Sequence, residues 1–459
     1  MMRLSLQEAA SLCHGSPSGD DVMVTGVSTH SRQVSGGSLF VALQGPRFDA
    51  HEFIHAALPA AAVMVSRPVA SGHPRILVKD TRQALGALAA GWRRRCPARV
   101  VGLTGSNGKT TVKEMLAAIL QQAGSTLATR GNLNNDIGVP LTLLGLSTEH
   151  RFAVIEMGAN HAGEIANLTA LAGPQVALIT NAGPAHLEGF GSLEGVARAK
   201  GEIFQGLGPD GVAVINADDP YAQFWESLNT GRHTLLFGTS ERAQVQVGQG
   251  ADGVAWVRHE GVCLPVNLAL PGAHNRLNAA AAAAASLALG LDLETIAAGL
   301  SSLAPVPGRL MRRKGRDGLN IIDDSYNANP ASTRAAVDML LDEPGPRILV
   351  LGDMGELGDD GPALHRQTGE YAAARGVDRL LAVGPLCRHA VEGFGERALH
   401  FKDQEALIRA LDTLLPKNGT LLVKGSRGQR MERVVEALIT PDERQQEQSE
   451  SQEHAAHSV

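Results

Sequence analysis

Short β-branched runs recur along this chain, each followed by a stretch with helical spacing, and that alternation leaves few ways to fold. Between residues 100 and 216 the runs VVGLT, FAVIE, VALIT and VAVIN carry almost no polar residues. A strand apolar on both faces must be covered on both faces, which is the condition of a parallel sheet layered between its crossover helices. The segment APVPGRL (304–310), with two prolines and a glycine, interrupts the series, and the cycle restarts with LNIIDD, RILVLGD, RLLAVG and TLLVKG. Ahead of both lie shorter runs, VMVTGV, GSLFVAL, AAVMVS and RILVK, cut by Gly, Ser and Pro turns. The expected class is α/β in three domains: a small mixed α/β domain over 1–80, a central parallel-sheet domain over 81–308 and a Rossmann-like domain over 309–440. The tail 441–459 has almost no apolar residues and is expected to be disordered.

Composition narrows the function classes. Of 459 residues, 47 are acidic and 41 basic, a net charge of −6, so no surplus of positive charge exists to neutralise a nucleic-acid backbone. Cys13, Cys96, Cys263 and Cys387 lie far apart with no CxxC pair, which points to neither a zinc site nor a disulfide framework and suits a reducing cytosol. No run reaches the ~18 apolar residues of a membrane span. The best candidate, the alanine run 279–285, is bounded by Asn278 and Ser286 and reads as a tightly packed helix. Gln7 and Glu8 stand where a secretory leader needs its apolar stretch, so a cytoplasmic protein without a membrane span is expected.

The segment Thr104-Gly105-Ser106-Asn107-Gly108-Lys109-Thr110-Thr111 follows the run VVGLT and precedes a helical stretch over 112–122. That is the context of a phosphate loop: glycines let backbone N–H groups approach phosphate oxygens, and the helix N-terminus adds positive potential. Lys109 then meets the β- and γ-phosphates of ATP, and Thr110 ligates Mg²⁺. The full GxxxxGK[ST] pattern is not met, because Leu103 stands at the first glycine position, so this is a shorter variant. The competing reading is a glycine-rich turn without a ligand; strand, loop, lysine and hydroxyl pair in register favour ATP.

In a parallel sheet, functional groups collect beyond the carboxyl ends of the strands. FAVIE ends on Glu156, placed as an acid that holds Mg²⁺ against phosphates, and VALIT runs through Asn181 to His186. Taken singly, Glu156 is equally a salt-bridge partner and His186 a hydrogen-bonded loop residue. The helical stretch LEGVARAKGEIF (193–204) carries Lys200, which spacing alone reads as a solvated surface lysine.

TGSNGKTT, GNLNNDIGVPLTLL (131–144), EMGANHAGEI (156–165), AHLEGFGS (185–192), AKGEIF, HNRLNAAAA (274–282), PGRL, DDSYNANP (323–330), LGDMGELG (351–358) and VKGSRG (423–428) together resemble the Mur ligase family over nearly the whole chain. The resemblance implies a UDP-sugar-binding domain, a central ATPase domain and a C-terminal closing domain. It implies ATP-dependent amide formation, in which a substrate carboxylate takes the γ-phosphate as an acyl phosphate and an incoming amine displaces phosphate. It implies two Mg²⁺ ions, one held by Thr110 and Glu156, the other by His186 and by Lys200 as a carbamate formed with CO₂. Lys109, Glu156, His186, Lys200 and Arg309 would form the catalytic set, with Arg309 on the γ-phosphate and Asp324 on the ribose.

His274, Asn275 and Asn278 match the family's nucleotide-contact motif, although asparagine capping ahead of the alanine run explains them as well. Arg309 and Asp324 would alone pass for an ion pair, and Asn327, Asn329 and Pro330 for a turn. Lys424 and Arg427 would reach toward phosphate or substrate, with a loop salt bridge as the alternative. Ser31 and Arg32 in THSRQV, and Asp49 and His51 in FDAHEF, resemble the UDP-binding strand and loop, with His30 where the family has an acid. Asn134 and Asn135 would lie near the muramoyl-peptide. Within the family, NANPAS and GANHAGE favour the step that adds D-alanyl-D-alanine to UDP-N-acetylmuramoyl-tripeptide over another step or folylpolyglutamate synthase, and no DNPR-like motif is present. A monomer is expected. The alternative of another class, a P-loop ATPase switch or motor, finds no NKxD motif.

Overall fold

The computed structural model describes residues 2–46, 48–55, 58–184, 187–304 and 306–440. The tail 441–459 therefore lies outside the described residues, as does His186. Two compact units are distinguished, one formed by 1–182, 197–267 and 277–303, the other by 183–196, 268–276 and 304–459.

The first unit contains two sheets of consequence. A five-stranded sheet runs in the order Ser16–Ser18, Arg75–Leu77, Ala62–Val65, Ser38–Val41, Gly26–Ser28. Its four last strands are parallel. The larger sheet has nine strands, ordered Thr126–Ala128, Phe152–Glu156, Arg99–Thr104, Val176–Ile179, Val212–Asn216, His233–Gly238, Val245–Gln249, Ala255–His259 and Val262–Val266. The four runs expected as buried strands occupy its middle, and 152–156 and 176–179 are buried at every position. The last two strands are antiparallel additions whose residues are mostly half-buried or exposed, unlike the solid apolar runs. Asp80 caps the helix Thr81–Arg93 by accepting from the N–H groups of Arg82 and Gln83. At its far end the buried Arg93 guanidinium donates to the carbonyls of Ala172 and Cys96, so the charge is met where helices and strands end.

The second unit is built on a six-stranded sheet in the order Met311–Lys314, Asn320–Asp324, Thr420–Lys424, Arg347–Gly352, Arg379–Val383, Ala398–Phe401, parallel except for its first strand. Successive residues of each strand enter opposite cores. Ile322, Leu349, Leu351, Leu380 and Leu422 pack with the helices Pro330–Leu341, Gly361–Arg375 and Cys387–Phe394. Ile321, Ile348, Val350, Leu381, Leu421 and Val423 pack with Gln404–Leu414 and Glu432–Leu438. The period-2 alternation of a pleated strand, apolar on both faces, thus yields the three-layer α/β arrangement that the sequence pattern anticipates.

A cluster of buried polar side chains lies beside the strand Arg347–Gly352. Nε2 of the buried His365 accepts the Met354 N–H at 3.0 Å, which leaves Nδ1 as the protonated nitrogen, donating to Gly361 O at 2.7 Å. Asp353 Oδ1 accepts from the N–H groups of Leu386 and Cys387, and the Cys387 thiol points to Leu351 O. The three side chains have the chemistry of metal ligands and lie within 4.8 Å of one another. With its nitrogens already committed to the backbone, however, His365 has no lone pair left for a cation. The trio instead ties the turn after Arg347–Gly352 to the two helices beside it.

Burial, the largest influence, lowers the His365 pKa, partly offset by the Gly361 carbonyl and the Asp353 charge. A histidine whose folded pKa lies below its unfolded value binds more protons when unfolded, so stability rises with pH across that interval. Unfolding by urea, followed by circular dichroism, is expected to show stability falling as pH drops below about 6.5. His365→Gln should flatten that slope, and an unchanged slope would exclude His365 as its source.

Candidate functional site

In the nine-stranded sheet, the strand Arg99–Thr104 has its later parallel partners on opposite sides, Phe152–Glu156 on one and Val176–Ile179 on the other. Such a reversal opens a crevice at the carboxyl ends, and the residues 104–111 lie there. The loop is shaped from the side. Thr180 Oγ1 donates to Asn107 O at 2.6 Å, the Ser106 N–H donates to Asn181 O at 3.0 Å, and Asn107 N–H donates to Asn181 Oδ1 at 3.0 Å. Thr104 Oγ1 donates to Met157 O on the opposite neighbour.

Two glycines permit this closeness. A Cβ on Gly105 would lie 1.9 Å from Thr180 Oγ1, and one on Gly108, where φ is +79°, would lie 2.3 Å from Asn278 Oδ1. Asn278 therefore packs directly on the loop. Gly108 leads into the helix Lys109–Ala123 without a side-chain cap, and the Lys109 ammonium bends back to Gly105 O at 2.6 Å. The helix opens earlier than the 112–122 expected from spacing, which places Thr110 and Thr111 in its first turn, both buried. The first N–H groups of a helix have no intrahelical acceptor, which is the anion-binding geometry of such a loop.

Beyond the next strand end, Glu156 is buried. Its N–H donates to Thr129 Oγ1, and the Thr129 carbonyl is held in turn by the ammonium of the buried Lys113. Oε1 accepts from Asn134 Nδ2 at 2.9 Å, whereas Oε2 is buried with no hydrogen-bond partner among the described residues. Among those residues Glu156 has no salt bridge. A buried carboxylate oxygen without a donor is costly unless a cation meets it, so the donor set fits a hard divalent metal. Asn135 has a local duty, its Oδ1 accepting from the N–H groups of Ile137 and Gly138 at the start of Gly138–Leu144.

Lys200 is 1% exposed, near the end of the helix Leu193–Gly201, so it is not the solvated lysine that spacing allowed. Burial foremost, and the Lys109 charge next, bring its amine from 10.5 down to about 7. After Gly201 the chain tightens into the 3₁₀ turn Glu202–Gly206 instead of continuing the helix to 204. The Glu202 carboxylate accepts from Gly163 N–H at 2.7 Å and Ala166 N–H at 3.1 Å, which joins the AKGEIF and GANHAGE motifs. His186 belongs to the undescribed residues.

In the five-stranded-sheet region, Asp49 Oδ1 and His51 Nδ1 are 2.6 Å apart, and His51 Nε2 accepts the Ser66 N–H at 3.0 Å. Asp49 Oδ2 accepts from Arg67, which sets that exposed guanidinium in place. The His51 N–H, first, and its side chain hold the Asp49 carboxyl down to about 2. His30, standing where the family has an acid, accepts the Arg32 N–H through Nδ1 at 3.3 Å. It caps the short turn Ser31–Gln33, leaving Arg32 exposed and Ser31 half-buried.

In the second unit the buried Lys424 pairs with Asp324 and donates to Asn327 O at 2.9 Å. Both ions of this pair are thus spent on joining two neighbouring strand ends. The Asp324 and Lys424 charges act on His274, whose pKa is lowered mainly by burial. Asn275 Nδ2 donates to Pro271 O, and Asn329 caps Pro330–Leu341 in a reciprocal pair with Ser332. Tyr326 carries Arg309 over its ring at 4.2 Å and Arg427 at 5.6 Å. Arg427 also reaches Glu432.

Thr180, Asn181 as a loop brace, Tyr326, Ser66 and Arg67 are roles that sequence reasoning did not assign. Tyr326 lay inside the quoted DDSYNANP motif, and Thr180 ended the quoted run VALIT, so position alone was the available signal. Removing the Thr180 hydroxyl should loosen the loop without opening the core. Thr180→Val is expected to raise the KM for ATP several-fold, since one hydrogen bond contributes about 0.5–1.5 kcal/mol, with little change in thermal midpoint. An unaltered KM would refute this bracing role.

Three family models match in chain order: Mur ligase family, catalytic domain, over 23–93; Mur ligase middle domain over 103–286; and Mur ligase, glutamate ligase domain, over 308–427. A UDP-N-acetylmuramoyl-tripeptide–D-alanyl-D-alanine ligase of Escherichia coli K12 is 48% identical, over 95% of this chain and 99% of its own. The crystal structure of MurF from Acinetobacter baumannii superposes with a TM-score of 0.88 at 37% identity, covering 95% of this chain and 98% of that one. MurF ligase from Thermotoga maritima, solved in complex with ADP, gives 0.79 at 31% identity, covering 90% and 97%. The three-domain α/β architecture is common to these structures and this chain. Matched over 95% of its length by a relative at 48% identity, the chain belongs to the Mur ligase family of ATP-dependent ligases.

Proposed function

We propose that this protein joins D-alanyl-D-alanine to UDP-N-acetylmuramoyl-tripeptide at the expense of ATP, in the cytoplasm and as a monomer. The observation that carries the reading is the 48% identity, over 95% of the chain, to a ligase named for those two substrates. No described helix is long and apolar enough to cross a membrane. The working parts are 1–80 for the UDP-sugar, 81–308 for ATP and 309–440 for the remaining contacts. Within them, Ser31, Arg32, Asp49 and His51 serve the UDP end, where the network around Asp49 orients Arg67.

A carboxylate is a poor electrophile until one of its oxygens becomes a leaving group. In the proposed sequence the tripeptide carboxylate attacks the γ-phosphorus, the bond to ADP breaks, and an acyl phosphate results. The amine of D-alanyl-D-alanine then attacks the acyl carbon, and collapse of the tetrahedral adduct expels inorganic phosphate, with loss of the amine proton. The loop Thr104–Thr111 and its helix terminus hold the nucleotide phosphates, Lys109 and Arg309 offset charge on the transferring phosphoryl group, and Asp324, His274, Asn275 and Asn278 serve the nucleoside end. Asn134, Asn135, Asn327, Lys424 and Arg427 are assigned to the substrate side.

Two Mg²⁺ ions, when bound, screen the repulsion between the carboxylate and the polyphosphate. Thr110 and Glu156 would hold one, His186 and Lys200 the other. The fall of the Lys200 amine to about 7, through burial first and the Lys109 charge next, supports this, since it raises the share of neutral amine: a neutral amine attacks CO₂, loses a proton and becomes a carbamate, an anionic ligand.

Phosphate release with UDP-N-acetylmuramoyl-tripeptide, with and without D-alanyl-D-alanine, tests the substrate assignment. Release that needs both, with a product heavier by the dipeptide, is expected; acceptance of a single amino acid instead would overturn it. Lys200→Ala is expected to lower turnover at least ~100-fold, with partial recovery on adding a short carboxylate such as acetate. Loss without any such recovery would argue against the carbamate.

A further inference from the structure

The Asn134 side chain has been assigned above to the substrate side by resemblance alone, yet its geometry points elsewhere. Its Nδ2 donates to Glu156 Oε1 at 2.9 Å, and the Asn134 backbone carbonyl accepts the Gly158 N–H at 2.8 Å. A Cβ on Gly158 would lie 3.0 Å from Asn134 Cγ and Oδ1, so the asparagine is seated against the backbone just past Glu156. Three further bonds hold the backbone of the same residue through Thr129: Glu156 N–H on Thr129 Oγ1, Thr129 N–H on Val154 O, and Lys113 Nζ on Thr129 O. Backbone and one oxygen are thereby committed. The other oxygen, Oε2, stays buried with no partner among the described residues.

A carboxylate with two equivalent oxygens and a rotatable terminal torsion presents either oxygen, or both, to a cation. A donor fixed on one oxygen removes that degeneracy, and outer partners of this kind commonly govern ligand orientation and affinity. We infer that Asn134 is a positioning residue that reserves Glu156 Oε2 as the metal-facing oxygen by occupying Oε1. This rests on the reading of Glu156 as a Mg²⁺ ligand. Asn134 itself touches neither the metal nor the reacting atoms.

The test uses the full-length enzyme with saturating ADP and with Mn²⁺ as the probe, the enzyme-bound ion being read by electron paramagnetic resonance. Asn134→Leu, which keeps the bulk and removes the donor, should weaken Mn²⁺ binding about tenfold or more. It should raise the Mg²⁺ concentration needed for half-maximal activity in parallel, with kcat at saturating Mg²⁺ largely restored. Asn134→Ala is the second variant should the leucine disturb folding, and a thermal scan reports that directly. A Mn²⁺ affinity within twofold of wild type in both variants would overturn the inference, and so would a kcat that stays low at saturating Mg²⁺ with Mn²⁺ affinity unchanged, the signature of a substrate contact. Glu156→Gln separates the two levels: if it binds Mn²⁺ as wild type does, the reading of Glu156 as a ligand falls, and the role of Asn134 with it.

Discussion

The hold that one strand end exerts on its neighbour's loop is the constraint on which the nucleotide chemistry rests. A loop with glycines at positive φ has no ladder of its own and would lose its shape to conformational entropy, at roughly 1–2 kcal/mol for each backbone residue fixed. Here Thr180 and Asn181 supply four bonds to Ser106 and Asn107. Thr180 is anchored one strand further on, where Asn216 Nδ2 donates to its carbonyl at 2.9 Å. Rigidity thus passes from Val212–Asn216 through Val176–Ile179 into the loop, and the order of the strands that creates the crevice also creates the brace. Phosphate then meets a shape that is already formed, which removes an ordering cost from binding.

Most buried polar groups in this protein are spent on one another. Asp324 and Lys424 neutralise a strand junction, Asp49 and His51 close a network on Ser66 and Arg67, and His365 uses both ring nitrogens on the backbone. Each arrangement satisfies the rule that a buried donor or acceptor must be met. Glu156 and Glu432 each keep one buried carboxylate oxygen without a hydrogen-bond partner among the described residues, but Glu432 is ion-paired to Arg427 through its other oxygen, whereas Glu156 has no ion pair among them. An unsatisfied atom within a well-satisfied surrounding is better evidence of a ligand than acidity alone, since the neighbourhood had donors and placed none there.

Strands and loop were legible in the sequence because they obey local rules. The runs at 152–156 and 212–216 became strands over the same residues, and TGSNGKTT sits between strand and helix as its spacing demands. Less legible were properties set by packing at a distance. Lys200 lies in a helix whose charges suggest a surface, and only tertiary contact makes it 1% exposed. The strands Val245–Gln249 and Ala255–His259 pair Gln246 with Arg258 and carry His259 on the opposite face, and a single sequence does not distinguish a half-exposed antiparallel extension from loop. The pairing of Lys424 with Asp324 joins positions 100 residues apart in the chain, and no spacing rule connects them. Motif resemblance located these residues without revealing which were already engaged.

Lys109 and Lys200 set a problem whose solution bears on the chemistry. Burial foremost, and repulsion from the Lys109 ammonium next, bring the Lys200 amine down to about 7. Loss of a proton relieves the repulsion but leaves a neutral amine buried. On the proposed reading, uptake of CO₂ goes one step further, because the carbamate is anionic: its interaction with Lys109 changes from repulsion to attraction, and a lone pair that protonation would have consumed becomes a negative group suited to a hard cation. On the same reading, the burial that makes Lys200 a poor surface lysine would also free its lone pair for CO₂, and Lys109 would favour the product twice, by disfavouring the ammonium and by stabilising the anion.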